Sequence, residues 1–159
     1  AAEIADGISL NHIHEDFLDE HVATIRKNAA SAGNDLQLAY SGTLVTNDAE
    51  LEHVREHMTY RLVDSPVAVK AAIGMTDSDT NALREAMSHG LDVAARLVKD
   101  DWVFPFVVHG TPSDCAQQIA GFCTTNGIGE FTVPVTDFAA AEQTMNLTAE
   151  IAAITETLI

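Results

Sequence analysis

The sequence predicts an α/β fold in which parallel strands alternate with helices. Three short apolar runs have the composition of strands, at residues 8–11, 36–45 and 131–135. Segments whose apolar residues recur at helical spacing separate these runs. The most complete unit spans residues 107–136, where a capped helix, a glycine stop and an apolar strand follow one another.

Composition narrows the class of protein. The 159 residues predict one domain, and 47% hydrophobic residues suffice for a packed core. The 24 acidic and 8 basic residues give a net charge of −16, which would repel nucleic acid and anionic membranes as partners. Because the acids are spread along every predicted helix, we favour a halophilic source over an ordinary acidic cytosolic protein.

The compartment is predicted to be the cytoplasm. No apolar run approaches the roughly 20 residues of a membrane span, and no basic-then-apolar leader is visible. Cys115 and Cys123 share one predicted helix, about 12 Å apart, which is too far for a disulfide and predicts reduced thiols. The chain begins in a segment typical of a helix end, residues 1–6, which suggests an N-terminal truncation.

The first half of the chain predicts two strands around one helix. After the strand 8–11, a helix over 16–32 carries its apolar residues on one stripe: Leu18, Val22, Ile25 and Ala29. Residues 36–45 predict one strand, the longest of the chain. Its central Gly42 allows another group to approach the backbone closely.

Helices then follow one another. Asn47 and Glu50 have the spacing of a capping box for the first, whose stripe is Leu51, Val54 and Met58. Further helices are predicted over residues 66–74, 76–89 and 91–99. We interpret residues 66–107 as a helical insertion between two βα units, within a single domain of residues 1–159. Pro105 argues against a strand over residues 103–108.

The last unit has the clearest local signals. Thr111 is placed as an N-cap, Pro112 as the first helical residue, and Asp114 can complete a capping box. Gly127 is a natural helix stop. After the strand 131–135, a final helix is predicted from Asp137, with an apolar side made of Met145, Leu147, Ile151, Ile154 and Leu158.

Several of these segments resemble the luciferase-like flavin and deazaflavin oxidoreductases. The order G-T-P-x-D at residues 110–114, a helix, a Gly-x-Gly stop at 127–129 and a strand running into Pro134 is similar to that family's last helix–strand unit. Residues 1–8 resemble its A-x-x-x-A-D-G signature. Residues 71–74 (Ala-Ala-Ile-Gly) and the pair Asp114-Cys115 are similar to its methylenetetrahydromethanopterin reductase branch.

The resemblance implies the C-terminal portion of a (β/α)8 TIM barrel, with about three parallel strands, flanking helices and a helical insertion. It implies hydride transfer with coenzyme F-420, a deazaflavin, to a one-carbon pterin carrier, or to a folate in a halophile. An FMN-dependent monooxygenase and a non-catalytic half-barrel binding or interaction module are the alternatives. A missing N-terminal half or a second chain would complete the barrel, and we expect a homo-oligomer that binds a small-molecule substrate.

Sites in parallel α/β folds lie at the carboxyl ends of the strands. From the resemblance we expect cofactor contacts at this rim, from Asn11, His12, Pro134, Val135 and Thr136. For Thr46-Asn47 and Thr136-Asp137 a helix cap is the better explanation, whereas Asn11 and His12 need no cap because their helix starts later. The catalytic residues stay unassigned, because the family's cofactor-phosphate turn and strained peptide would lie upstream of Ala1.

Two histidine pairs have spacings found in metal sites. His12 and His14 lie two apart on an extended segment, but no second cluster supports them. His53, Glu56 and His57 fit the inverted H-x-x-E-H spacing of one class of zinc enzymes. Since the sequence places no third ligand, we interpret this pair as a solvent-exposed helix face and expect no metal.

Overall fold

The computed structural model describes residues 1–135 and 138–159. Its strands are β1 (Gly7–Asn11), β2 (Gln37–Ser41), β3 (Leu44–Val45), β4 (Val108–His109) and β5 (Glu130–Thr132). Its helices are α1 (Glu15–Ser31), α2 (Asp48–Asp64), α3 (Val67–Ala72), α4 (Asp77–Met87), α5 (Leu91–Ala95), α6 (Asp100–Val103), α7 (Pro112–Asn126) and α8 (Ala141–Thr155). Short 3-10 turns lie at Phe104–Phe106 and Phe138–Ala140.

The chain forms two compact units. The sheet unit comprises residues 1–44 and 106–159, and the helical unit comprises residues 45–105. The interpretation of residues 66–107 as an insertion within one domain stays a prediction.

A three-stranded parallel sheet organises the sheet unit, in the order β1-β2-β5. Gly7 to Asn11 pair with Gln37 to Ser41, and Ala39 to Ser41 pair with Glu130 to Thr132. Strands β3 and β4 form a separate two-stranded sheet. The parallel strands and flanking helices confirm the predicted α/β fold.

One face of the main sheet packs on helices. Leu10, Leu38 and Tyr40 share a buried cluster with residues of α1, namely Leu18, Val22 and Ala29. Phe131 of β5 joins this cluster and also a second one, built on α7 and α8 around Cys115, Ala116, Ile119 and Ile151. The apolar stripe predicted for the first helix is thus the surface that covers the sheet.

The second strand is shorter than predicted. It ends at Ser41, and the chain resumes an extended form only at Leu44, so the prediction of one strand over residues 36–45 is wrong. The break lies at Gly42, whose N–H donates to Thr132 O at 3.0 Å. A Cβ at Gly42 would lie 2.6 Å from Phe131 Cζ, so the predicted close approach to this glycine is confirmed.

Residues 1–6, predicted as a helix end, form a turn in which Ala5 N donates to Ala1 O with the four-residue spacing of an α-helical bond. Two further boundaries differ from the predictions. The helix predicted over 91–99 ends at Ala95, and the strand predicted over 131–135 ends at Thr132. The short strand β4 was not predicted, because two residues are too few to show an alternating pattern.

Helix α7 matches its predicted caps closely. The Thr111 hydroxyl and the Asp114 carboxylate form a reciprocal capping box, and Pro112 occupies the first turn. At the other end Gly127 is left-handed, with φ 59°. Arg26 of α1 donates to Asn126 O at 3.1 Å and to Gly127 O at 2.8 Å, which satisfies terminal carbonyls of α7 and ties the two helices together.

The last helix is less amphipathic than predicted. Leu147, Ile151 and Ile154 pack in the cluster with α7, but Met145 and Leu158 are 58% and 48% exposed. The predicted cap Asp137 lies outside the described residues. Among the helices that the structure describes, none is both long enough and apolar enough to cross a membrane.

The helical unit is held by α2. Its predicted stripe of Leu51, Val54 and Met58 is buried. Arg55 on the same helix binds Glu52 and Asp100, and these carboxylates raise the pKa of its guanidinium, the Asp100 hydrogen bond most. Asn47 Oδ1 accepts from Glu50 N as predicted, but the Glu50 carboxylate accepts from Thr46 N and Oγ1 instead of completing a capping box.

Candidate functional site

The two faces of the main sheet differ in character. Side chains alternate between the faces of a strand, and burial alternates with them. We call the helix-packed side, with Leu10, Leu38, Tyr40 and Phe131, the covered face. The opposite side, the open face, carries residues that are exposed or half-buried: Ser9, Asn11, Ala39, Ser41, Glu130 and Thr132.

The strand register arranges the open face into rows. Asn11 pairs with Ser41, and Ser41 pairs with Thr132, so an amide and two hydroxyls form one row at the carboxyl ends of the strands. Ser9, Ala39 and Glu130 form the next row by the same register. Two strand spacings separate Asn11 from Thr132, or about 10 Å, which is the span of a fused-ring ligand laid across the three strands.

His12 lies just beyond this row. Its φ of 45° is the only left-handed value among the described residues other than glycine, and strained residues of this kind cluster at functional sites. His12 Nε2 lies 3.3 Å from Thr43 Oγ1, which joins the segment after β1 to the segment after β2. The predicted contact residues Asn11 and His12 are therefore placed together at one rim of the sheet.

The buried Tyr40 side chain positions the backbone next to this rim. Its hydroxyl accepts from Ile13 N at 3.2 Å and lies 3.3 Å from Ile13 O, so it fixes the backbone one residue after His12. The ring is 3% exposed and packs against both Phe122 and Phe131, with centroid distances of 5.3 and 5.8 Å. A rigid core residue thus positions the strained segment.

The third strand brings the other predicted contact residues to the same edge. Pro134 and Val135 follow the end of β5, and both are exposed. Thr136 lies outside the described residues. Since β5 flanks β2 on the side opposite β1, Pro134 and Val135 form the far end of the rim that begins at Asn11.

His14 has a structural role. It is 4% exposed, its Nδ1 accepts from Asp16 N at 3.1 Å, and its ring meets the edges of Phe17 and Phe106 at 5.4 Å. It is therefore the N-cap of α1, a role that the sequence did not indicate. Within residues 1–135 and 138–159, no group of three or more histidine, cysteine or acidic side chains is placed to hold a metal ion.

Four polar residues of the open face were missed from the sequence: Ser9, Ser41, Glu130 and Thr132. The signal was present, because each alternates with an apolar neighbour of the covered face, as Ser41 does with Tyr40. That alternation distinguishes a strand with one polar face from a strand buried on both sides.

The open face is suited to holding a ligand. Hydroxyl and amide groups both donate and accept hydrogen bonds, and they stay neutral at all ordinary pH values. The row of Asn11, Ser41 and Thr132 can therefore orient the carbonyl and N–H edges of a flat heterocycle. Glu130, one row below, adds the single carboxylate of the two rows.

Comparison with known proteins supports the fold. The chain is similar in structure to a coenzyme F-420-dependent tetrahydromethanopterin reductase from Methanopyrus kandleri, with a TM-score of 0.75 and 21% sequence identity. The match covers 93% of this chain and 44% of the reductase, so the chain spans less than half of that protein's length. No protein-family model and no curated protein sequence matches the chain. The chain therefore has a parallel α/β fold that resembles part of the fold of that reductase.

Proposed function

We propose that this chain forms part of a luciferase-like oxidoreductase that transfers hydride between coenzyme F-420 and a one-carbon pterin carrier. The open face carries the proposal. Parallel sheets are nearly always covered on both sides, yet here one side carries mostly polar residues that are exposed or half-buried. In a closed barrel that side is the interior, and its carboxyl end is where TIM-barrel enzymes place their substrates.

The residues at the rim fit a deazaflavin. Asn11, Ser41 and Thr132 offer neutral donors and acceptors to the polar edge of the ring, and His12 is fixed beside them by its 3.3 Å contact with Thr43. Coenzyme F-420, when bound, supplies a carbon centre that gives or accepts hydride. The side chains of the chain bind the ring, orient it and limit access of water to it.

Pro134 and Val135, and by the resemblance Thr136, would contact the ring or the carrier from the end of β5. The similarity to a tetrahydromethanopterin reductase favours a pterin as that carrier. Since the chain matches only 44% of that reductase, the rest of the barrel would come from further polypeptide, either a preceding half or a second chain.

A second candidate is a non-catalytic half-barrel that binds a ligand or a partner. The open face also favours this candidate. The chain forms two compact units by itself, and its open face is still accessible to a ligand or a partner. Such a module would need the polar rim but no redox cofactor.

Titration with coenzyme F-420 and with FMN distinguishes these functions. We expect F-420 to bind more tightly than FMN, and Thr132→Val to weaken its binding about 2- to 10-fold, since a neutral hydrogen bond contributes about 0.5–1.5 kcal/mol. Ser113→Ala, at an exposed position on α7, is the matched control and should change nothing. Tighter binding of FMN would favour a monooxygenase. Binding of neither cofactor by a preparation that also contains the rest of the barrel would favour the module.

A further inference from the structure

A pair of histidines on α2, in the helical unit, has the geometry of a metal chelate. His53 and His57 are four residues apart, so their side chains lie one above the other on the helix surface. Their Nε2 atoms are 3.2 Å apart, and their rings meet edge to face with centroids 4.6 Å apart. We propose that this pair binds one divalent transition-metal ion, Cu²⁺, Ni²⁺ or Zn²⁺, through its two Nε2 atoms.

The separation of the two nitrogens matches what a metal requires. Metal–nitrogen bonds of about 2.0–2.1 Å place two ligands about 2.9 Å apart at a right angle and about 3.4 Å apart at the tetrahedral angle. The observed 3.2 Å falls between these limits. A metal ion can therefore bind with little movement of either side chain.

The chemistry of the surroundings also suits a cation. Imidazole is a preferred ligand of zinc, copper and nickel, whereas magnesium and calcium prefer oxygen. Both side chains are exposed, so a metal ion reaches them from solvent. The net charge of −16 raises the local concentration of cations around the whole chain.

Without metal, the 3.2 Å contact is a hydrogen bond between the two rings, in which one Nε2–H donates to the other Nε2. On metal binding the donor ring carries its proton on Nδ1 instead, so both Nε2 lone pairs become available and no net proton is released. The sequence predicted no metal at this pair, because spacing along the chain does not show whether the two rings converge. The structure shows that they do.

The site is a two-residue clamp and differs from the H-x-x-E-H enzymes. Catalytic zinc needs three protein ligands, and the described part of the chain holds no group of three potential ligands. Water completes the coordination shell. Because the metal bridges two turns of α2 and cannot do so in an unfolded chain, it should stabilise the helical unit. This proposal is independent of the oxidoreductase function.

Calorimetric titration of the whole chain with CuCl₂, NiCl₂ and ZnCl₂, in a non-coordinating buffer, tests the site. We expect one ion per chain, with Cu²⁺ bound most tightly, and no heat from MgCl₂. His53→Gln and His57→Gln should each weaken binding about 100-fold, because the second imidazole acts at a high effective concentration. His89→Gln, at an exposed histidine whose Nε2 lies 3.5 Å from Glu85, is the matched control and should bind as the unsubstituted chain does.

A structural readout accompanies the titration. Electron paramagnetic resonance of the Cu²⁺ complex should show two nitrogen ligands, reduced to one in either variant. Circular dichroism confirms that the variants stay folded, as expected for exposed positions. The proposal is wrong if the chain binds no Cu²⁺ at millimolar concentration, if either variant binds as tightly as the unsubstituted chain, or if His89→Gln loses binding equally.

Discussion

The covered and open faces of the main sheet differ although they are built from alternate residues of the same three strands. On β2, Leu38 and Tyr40 are each 3% exposed. The alternate residues, Ala39 and Ser41, are half-buried and face the other side. The covered face contributes apolar burial and so stabilises the fold. The open face contributes hydrogen-bonding groups and little burial, which is what a ligand-binding surface requires.

The largest expected effect is on the covered face. Leu38→Ala should lower the free energy of unfolding by about 2–5 kcal/mol, because it removes buried carbons and leaves a cavity. Ser41→Ala, three residues later on the open face, should change it by less than about 0.5 kcal/mol. Urea unfolding followed by circular dichroism measures both. Equal effects would show that the two faces do not differ as described.

The contact between Gly42 and Phe131 tests how tightly the carboxyl end of the sheet is packed. Gly42→Ala places a methyl group 2.6 Å from the Phe131 ring and should cost about 1–3 kcal/mol of stability. Gly121→Ala is the matched control, since a Cβ there meets nothing within 4 Å and alanine favours the helix.

A double-variant cycle identifies the cause. If Phe131→Leu makes room, Gly42→Ala should cost less in that background than in the unsubstituted chain. An unchanged cost would mean that the Phe131 ring is not what resists a side chain at Gly42.

Tyr40 connects the covered face to the segment that follows β1, so its hydroxyl gives a smaller but more specific test. Tyr40→Phe removes the bonds to Ile13 N and O and should cost about 1 kcal/mol. It should also increase hydrogen exchange at Ile13. Tyr60→Phe, at a residue that is 58% exposed, should leave both unchanged. Unaltered exchange at Ile13 in Tyr40→Phe would show that the rim is held by other contacts.

The smallest effect concerns the cap of α7. The Thr111 hydroxyl, and then the Thr111 backbone N–H, donate to the Asp114 carboxylate and lower its pKa below the usual 3.8. Because the folded pKa is the lower one, this stabilisation is present above pH 3.8 and is lost as the pH falls through the folded value.

Asp114→Asn should therefore make the free energy of unfolding slightly less dependent on pH in the acid range. Asp114 is fully exposed, so we expect a small change that potentiometric or thermal unfolding data between pH 2 and 5 can resolve. Asp77→Asn, on α4, is a control in which no capping carboxylate is lost, since Asp79 completes the box with Thr76. An equal change in both variants would assign the effect to overall charge.

Local signals in the sequence predicted much of this fold. Thr111, Pro112, Asp114 and Gly127 act within one helix, so their roles follow from nearest neighbours along the chain and were confirmed. The close approach at Gly42 could be anticipated only in part, because the ring that approaches it belongs to Phe131, on a strand 89 positions away along the chain.

The candidate site was predicted less completely. Asn11 and His12 were found because they follow a strand, but Ser41 and Thr132 were missed because only the register shows that they lie beside Asn11. His14 capping α1 and the convergence of His53 with His57 depend on side-chain rotamers, which sequence does not encode locally. The halophilic source, the cytoplasmic location and the homo-oligomer stay predictions.

Methyl NMR of the chain during titration with coenzyme F-420 tests the central claim most directly, namely that the open face and not the covered face meets the ligand. We predict that the methyl signals of Ala39 and Thr132 shift with increasing cofactor, while those of Leu10 and Leu38 stay in place. Shifts confined to Leu10 and Leu38, or no shift at Ala39 and Thr132 while F-420 binds, would contradict the account.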